Sequence, residues 1–171
     1  MDINDYIISI KDFPKEGVIF RDITPLMLNA EAYTSTIKQM AALISAEHPT
    51  KILAAESRGF FFGPAIAYEL GLPFMPIRKK GKLPRQTISA EYELEYGTDL
   101  LFAHKDDFAQ KGERVAIIDD VLATGGTAKA MCQIAQKAGA DIACLAFLLG
   151  LKGLGGIEKL SGYKTIIMKE V

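Results

Sequence analysis

The sequence predicts an α/β fold, a central, mostly parallel twisted sheet flanked by helices, and three observations carry that reading. The run Val115-Ala-Ile-Ile-Asp-Asp-Val-Leu-Ala-Thr-Gly-Gly-Thr127 leads an apolar strand into two adjacent carboxylates and then into a small-residue turn that opens a helix. Residues 51–77 read as strand, loop, helix and strand. Elsewhere, short apolar runs without two-residue alternation mark strands covered on both faces, as in a parallel sheet. Right-handed crossovers between such strands place several loops at one sheet edge.

The first residues 3–10 have the spacing of a short amphipathic helix, Phe13-Pro-Lys-Glu-Gly17 of a turn and residues 18–20 of a short extended piece. Asn29 is placed to cap a helix over residues 30–47, where Ile37, Met40, Ala41 and Ile44 recur at helical spacing and His48-Pro49 ends the run. Strand residues 51–55 follow, then Glu56-Ser-Arg-Gly59, a helix over 60–70 closed by Gly71, and a strand over 73–77. Residues 78–85 interrupt the alternation with charge and turn formers, and 89–94 read as a strand of an exposed excursion, so that 78–100 is expected to be a mobile flap. The alternation resumes with a strand over 115–118, a helix over 127–138 closed by Gly139, and strands over 142–149 and 163–168.

A chain of 171 residues, about half of them apolar, is expected to form a single domain that buries roughly 70% of its unfolded surface. Its 20 basic and 21 acidic residues leave a net charge of −1, so neither nucleic acid nor an anionic membrane is an expected partner. Cys132 falls in a helix and Cys144 in a strand, which favours two buried free thiols over a disulfide. With no basic region followed by an apolar stretch at the start, and no apolar run of membrane-spanning length, the expected location is cytoplasmic.

The chemistry concentrates at strand ends. Asp119 and Asp120 fall at the carboxyl end of their strand, where open α/β sheets bind ligands. The turn Ala123, Thr124, Gly125, Gly126 and Thr127 has the small residues that let backbone N–H groups close around an anion, with a helix dipole aimed at the same point. Two carboxylates beside a phosphate would repel it unless they face something else, such as the vicinal hydroxyls of a ribose. No lysine follows the glycine pair as a P-loop requires, and the glycines lack the dinucleotide spacing. Arg58 brings a permanently charged fork to a second strand-end loop, where Gly59 allows close backbone approach. Arg78, Lys79, Lys80, Lys82 and Arg85 place positive charge in the flap, which also carries Glu91, Glu93 and Glu95 as acid or base candidates. His48 and His104 stand apart from other ligand types, so no dedicated metal cage is expected, and a weakly held Mg²⁺ would coordinate mostly substrate oxygens and water.

On these residues the chain resembles the type I phosphoribosyltransferases. The Asp-Asp string is the mark of that superfamily. Its adenine branch is indicated by Phe13-Pro-Lys-Glu-Gly-Val-Ile-Phe-Arg-Asp-Ile-Thr-Pro25, Glu56-Ser-Arg-Gly-Phe60, and Ile77-Arg-Lys-Lys-Gly-Lys-Leu-Pro84 with Leu94-Glu-Tyr-Gly97. The resemblance implies a hood built from residues 1–28 and transfer of a 5-phosphoribosyl group from phosphoribosyl pyrophosphate (PRPP) to adenine, giving AMP and pyrophosphate with Mg²⁺ present. It places Asp119 and Asp120 on the ribose hydroxyls, residues 123–127 on the 5′-phosphate, and Glu56, Ser57, Arg58, Arg78, Lys79 and Lys82 on pyrophosphate. It also implies a cis peptide in the loop that holds Glu56, Ser57 and Arg58.

Ile19, Phe20 and Arg21 would form the adenine reader with Val121, Phe20 stacking on the base and the Arg21 backbone reading its edge. Glu95, with Tyr96 beside it, takes the place of the acid or base at the purine, and a homodimer is implied because related flaps reach a neighbouring site. The chain departs from the pattern in two places: Arg85-Gln86 stands where glycine and proline are usual, and Gly150 where a polar or acidic residue is. A 6-oxopurine transferase and a non-catalytic PRPP-binding or nucleotide-binding regulator are the alternative readings.

Overall fold

The first two strands of the chain form an antiparallel ribbon. Strands β1 (Ile8–Lys11) and β2 (Ile19–Asp22) pair with Ile10 opposite Phe20. The computed structural model describes residues 2–93, 98–108 and 112–171 and divides into two compact units, Met1–Gln39 and Met40–Val171. The ribbon corrects the expected helix over 3–10. Only Ile3–Tyr6 is helical, a single 3₁₀ turn capped by the Asp2 carboxylate on the Asn4 N–H, and the next residues are extended. The β-branched residues Ile7, Ile8 and Ile10 favour a pleated strand once β2 supplies a partner, and pairing overrides a helical spacing so short. After α1 (Thr24–Leu28), α2 (Ala30–Ser45) starts where expected, the Asn29 Oδ1 accepting the Ala32 N–H at 2.9 Å.

Residues 40–171 are organised by one seven-stranded sheet. In chain order its strands are β3 (Lys51–Ala55), β4 (Phe74–Lys79), β5 (Thr87–Glu93), β6 (Thr98–His104), β7 (Arg114–Leu122), β8 (Asp141–Gly150) and β9 (Thr165–Glu170). In space the order is β5-β6-β4-β3-β7-β8-β9, with β4, β3, β7, β8 and β9 parallel and the β5–β6 hairpin antiparallel at one edge. The mostly parallel sheet flanked by helices is therefore as the sequence predicts. Helix α3 (Gly63–Leu70) connects β3 to β4 and α4 (Gly126–Lys137) connects β7 to β8.

Several boundaries differ from expectation for identifiable reasons. The helix expected over 60–70 is split into a 3₁₀ segment, Arg58–Phe61, and α3, because Pro64 presets the first turn of a new helix and has no N–H to continue an old one. Gly71 closes α3 in the left-handed region at φ 64°. The strand expected over 115–118 runs on to Leu122, so both aspartates belong to β7 itself. The excursion is not detached: Ala90, Leu101 and Ala103 are buried, and Ile88 and Tyr92 pack on the same core as Met131, Ile134 and Ala135 of α4. Charge at 78–85 obscured this, since the core-facing residues alternate behind it. Helix α5 (Gly156–Lys159) was not foreseen.

From β3 the chain crosses to β4 on one side, whereas β7 lies on the other side of β3 and leads on to β8. The strand order reverses between β3 and β7, so the loops after these two strands open a crevice at their carboxyl ends. Ala54 is level with Ile118, so β3 ends beside Asp119 and its loop starts at the two aspartates, while β7 runs on to Leu122. Cys132 and Cys144 are buried free thiols, each pushed up to about 12 by burial and so unreactive.

The seating of α3 on the sheet rests on a missing side chain. A Cβ at Gly63 would lie 2.6 Å from the Ala54 Cβ and 2.9 Å from the Phe74 ring. Gly63→Ala is expected to destabilise the fold by about 1–3 kcal/mol, read as a lower urea midpoint with an unchanged slope. An unchanged midpoint would mean that Phe74 yields freely.

Candidate active site

Two carboxylates, two arginines and a glycine turn meet at the crevice. Asp119 and Asp120 follow the fully buried run Val115 to Ile118 of β7, and the Asp120 N–H donates to Asp119 Oδ1 at 3.0 Å. Asp120 is only 5% exposed, and its Oδ2 lies 2.5 Å from Arg58 Nε. Arg58 is brought there by the 3₁₀ turn that follows Ser57, and the peptide between Glu56 and Ser57 is cis. Gly59 in the same turn leaves no space: a Cβ there would sit 3.0 Å from Asp119 Oδ1 and 3.1 Å from the Ile118 carbonyl. The β3 loop is thus pressed flat against the end of β7.

Glu56 links this loop to the next strand. Its backbone N–H donates to the Ile77 carbonyl at 2.8 Å. Its Oε2 accepts from Arg78 Nε at 3.0 Å and from the Lys79 N–H at 3.1 Å. These hydrogen bonds, Arg78 first, hold the Glu56 carboxyl below the usual carboxylate range. Lys79 and Lys82 are exposed.

The turn after β7 is small and closely backed. Ala123 and Thr124 lead into Gly125, which caps α4 at φ 77°, a left-handed conformation that suits glycine. Gly126 and Thr127 form the first turn of α4, where N–H groups have no intrahelical partner, so an anion can be held by backbone alone. Beside it, a cleft of about 420 Å³ opens between the β5–β6 hairpin and α4, bordered by Tyr92, Thr98, Gly126, Lys129 and Lys159. The Tyr92 hydroxyl donates to Asp99 Oδ2 at 3.0 Å, and burial pushes the phenol up to about 12.

Lys129 and Lys159 were passed over in the sequence. Gly126, Lys129, Ala130 and Gln133 share one helical face at three- and four-residue spacing, a signal available for Lys129; Lys159 had none.

The candidates for reading a base fall on two strands. Ile19, Phe20 and Arg21 belong to β2 in the N-terminal unit, where the Phe20 ring meets Phe13 edge-on at 5.2 Å and Arg21 bonds the Ser9 hydroxyl. Val121 is in β7. Glu95 and Tyr96 lie outside the described residues. Among those described, no three His, Cys, Asp or Glu side chains cluster as a metal cage, and no helix is long and apolar enough to cross a membrane. The two departures also have partners: Arg85 forms a two-pronged pair with Asp107, and any Cβ at Gly150 would press on Ile167 at 3.0 Å.

Comparison with known proteins places the fold among the phosphoribosyltransferases. The family model for the phosphoribosyl transferase domain matches residues 27–170. The adenine phosphoribosyltransferase of Carboxydothermus hydrogenoformans is 49% identical over 166 residues, covering 97% of each chain. The crystal structure of adenine phosphoribosyltransferase from Thermoanaerobacter pseudethanolicus superposes with a TM-score of 0.95 at 45% identity, covering 99% of this chain and 98% of the other. That from Saccharomyces cerevisiae, complexed with an imino-altritol bisphosphate and adenine, has a TM-score of 0.91 at 33% identity, covering 98% and 96%. The chain belongs to the adenine phosphoribosyltransferase family.

Burial pushes both aspartate carboxyls above the usual range, Asp119 further because the Asp120 charge adds to it, while Arg58 pulls Asp120 back. An acid whose folded pKa is raised loses stabilisation as the pH climbs from its unfolded value through its folded one. Asp119→Asn, which stays neutral and keeps an acceptor for the Asp120 N–H, is therefore expected to melt a few degrees above the parent at pH 7, with the gap closing toward pH 4. A variant that melts lower at pH 7 would show that the charge is not a burden.

Proposed function

We propose that the chain transfers the 5-phosphoribosyl group of PRPP to adenine, releasing pyrophosphate and AMP, and so serves purine salvage. The observation that carries this reading is the convergence, at one sheet edge, of an acidic pair, a glycine turn at a helix start and an arginine loop. Each suits one part of PRPP. The backbone N–H groups of residues 123–127 receive the 5′-phosphate, Asp119 and Asp120 accept from the ribose hydroxyls, and Arg58, Arg78, Lys79 and Lys82 face the pyrophosphate with Glu56 and Ser57 in their loop.

The transfer passes through a ribosyl cation-like state, in which the bond to pyrophosphate breaks as the bond to the base nitrogen forms. What the protein supplies is alignment and charge. The arginines stabilise the departing pyrophosphate, and carboxylates on the ribose favour positive charge on the ring. Asp120 meets Arg58 at 2.5 Å, so the guanidinium that faces the leaving group also holds the ribose carboxylate in place. Mg²⁺ would be carried chiefly by PRPP oxygens and water, neutralising pyrophosphate charge; carboxyls held above their usual range suit this better than a protein cage.

The base is read by Ile19, Phe20, Arg21 and Val121. Adenine asks for an acceptor at its amino group and a donor at N1, which one residue's C=O and N–H provide; a 6-oxopurine asks for the reverse. Glu95 exchanges a proton with the purine, with Tyr96 beside it. The working form is a cytoplasmic homodimer.

Incubation with PRPP, Mg²⁺ and each of adenine, hypoxanthine, guanine and xanthine tests the assignment: pyrophosphate is expected with adenine, and release with guanine alone would overturn it. Chelating Mg²⁺ is expected to abolish turnover. Asp120→Asn should raise the KM for PRPP, whereas Glu95→Gln should lower kcat by about 10²-fold or more. Full activity in Glu95→Gln would remove that residue from the chemistry.

A further inference from the structure

We infer that Gly156, outside the residues assigned to substrate, is a positioning residue for the phosphate turn, acting through the Ala123 carbonyl. The inference rests on the reading of residues 123–127 as the 5′-phosphate site. Its basis is an unusually close backbone contact. A Cβ built on Gly156 would lie 2.2 Å from the Ala123 carbonyl oxygen and 3.0 Å from Cγ and Cδ1 of Leu122. From the other side, a Cβ on Gly125 would lie 3.1 Å from the Gly156 carbonyl oxygen and 3.3 Å from its Cα. The first turn of α5 and the turn that opens α4 therefore meet glycine to glycine.

Both partners are held in place independently. The ladder between β7 and β8 extends one step past Gly150, the Leu151 N–H donating to the Leu122 carbonyl at 2.9 Å, so the two chains leave the sheet side by side. One then makes the phosphate turn, with Gly125 at φ 77°; the other turns at Gly155, φ 73°, into α5. Leu160, 1% exposed in the main core, anchors the end of α5. Neither side has slack to retreat.

A peptide group is a rigid plane, so the Ala123 oxygen and the Thr124 N–H move together. Gly156 sets how far the Ala123 oxygen tilts, and hence where the Thr124 N–H points. Any side chain at 156 would displace that oxygen and turn an amide of the phosphate turn off its target. This gives the Gly155-Gly156 pair, which the sequence left without a role, a function in substrate positioning.

The test compares Gly156→Ala with Gly153→Ala in the full chain. Gly153 has φ 80° with nothing within 4 Å of a Cβ, so its substitution strains the same segment without touching the phosphate turn. Gly156→Ala is expected to weaken AMP binding and raise the KM for PRPP by about ten- to hundredfold, with adenosine affinity and kcat little changed. Gly153→Ala should lower the melting temperature and keep AMP affinity. Unchanged AMP affinity in Gly156→Ala, or equal losses in both variants, would overturn the inference. A parent chain that binds AMP no tighter than adenosine would instead overturn the phosphate-site reading beneath it. Should Gly156→Ala not fold, hydrogen exchange on the parent decides: AMP, but not adenosine, is expected to slow exchange of the Lys159 and Leu160 amides, and no difference between the two would count against the coupling.

Discussion

Two adjacent carboxylates at the end of a buried strand are the constraint around which the crevice is arranged. Asp119 and Asp120 cannot both be charged cheaply in so little water, and folding alone would be better served by neutral residues. Their neighbours manage the cost. Arg58 stands against Asp120 at 2.5 Å, the Asp120 N–H donates to Asp119, and Gly59 lets the arginine's turn lie flat on the strand end. Glu56 in turn locks that loop to β4 through Arg78 and the Lys79 amide. The pieces form a chain of dependence from the acidic pair outward, in which the cationic loop has a structural reason to be there before any substrate arrives.

The topology explains why these pieces meet. Because the strand order reverses between β3 and β7, the loops after them are the pair that open a crevice. The register ends β3 beside Asp119, so that its loop starts at the acidic pair. On the proposed reading this division has a chemical use: β7 and α4 hold the part of PRPP that is transferred, β3 and β4 the part that leaves. The fixed contacts on the first side are backbone amides and buried carboxylates, while the second side relies on longer cationic side chains that can follow a departing group.

Much of this was legible in the chain because local signals and tertiary structure agree there. An apolar run ending in Asp-Asp and Gly-Gly can only be a buried strand turning into a helix, and Asn29 and Gly71 mark helix ends by chemistry that needs no tertiary partner. The misreadings fall where the partner decides. Residues 8–11 are extended because β2 pairs with them; β5 and β6 join the sheet because Ala90, Leu101 and Ala103 find a core behind a charged surface. Lys159 and α5 reach the glycine turn after β7 through a close approach of two backbones, which leaves no periodicity to read.

On the proposed reading, the carboxyl pair is held above its ordinary range in the free chain and is released toward its charged form by a ribose diol. Carbon-13 NMR titration of the Asp119 and Asp120 carboxyls measures this directly, with the free chain compared against AMP and its dideoxy counterpart, which lacks both ribose hydroxyls. Both carboxyls are expected to titrate above the usual aspartate range when free, and lower with AMP than with the dideoxy nucleotide, since hydroxyl donors favour the charged carboxylate. Ordinary aspartate values in the free chain, or identical titrations with the two nucleotides, would contradict it.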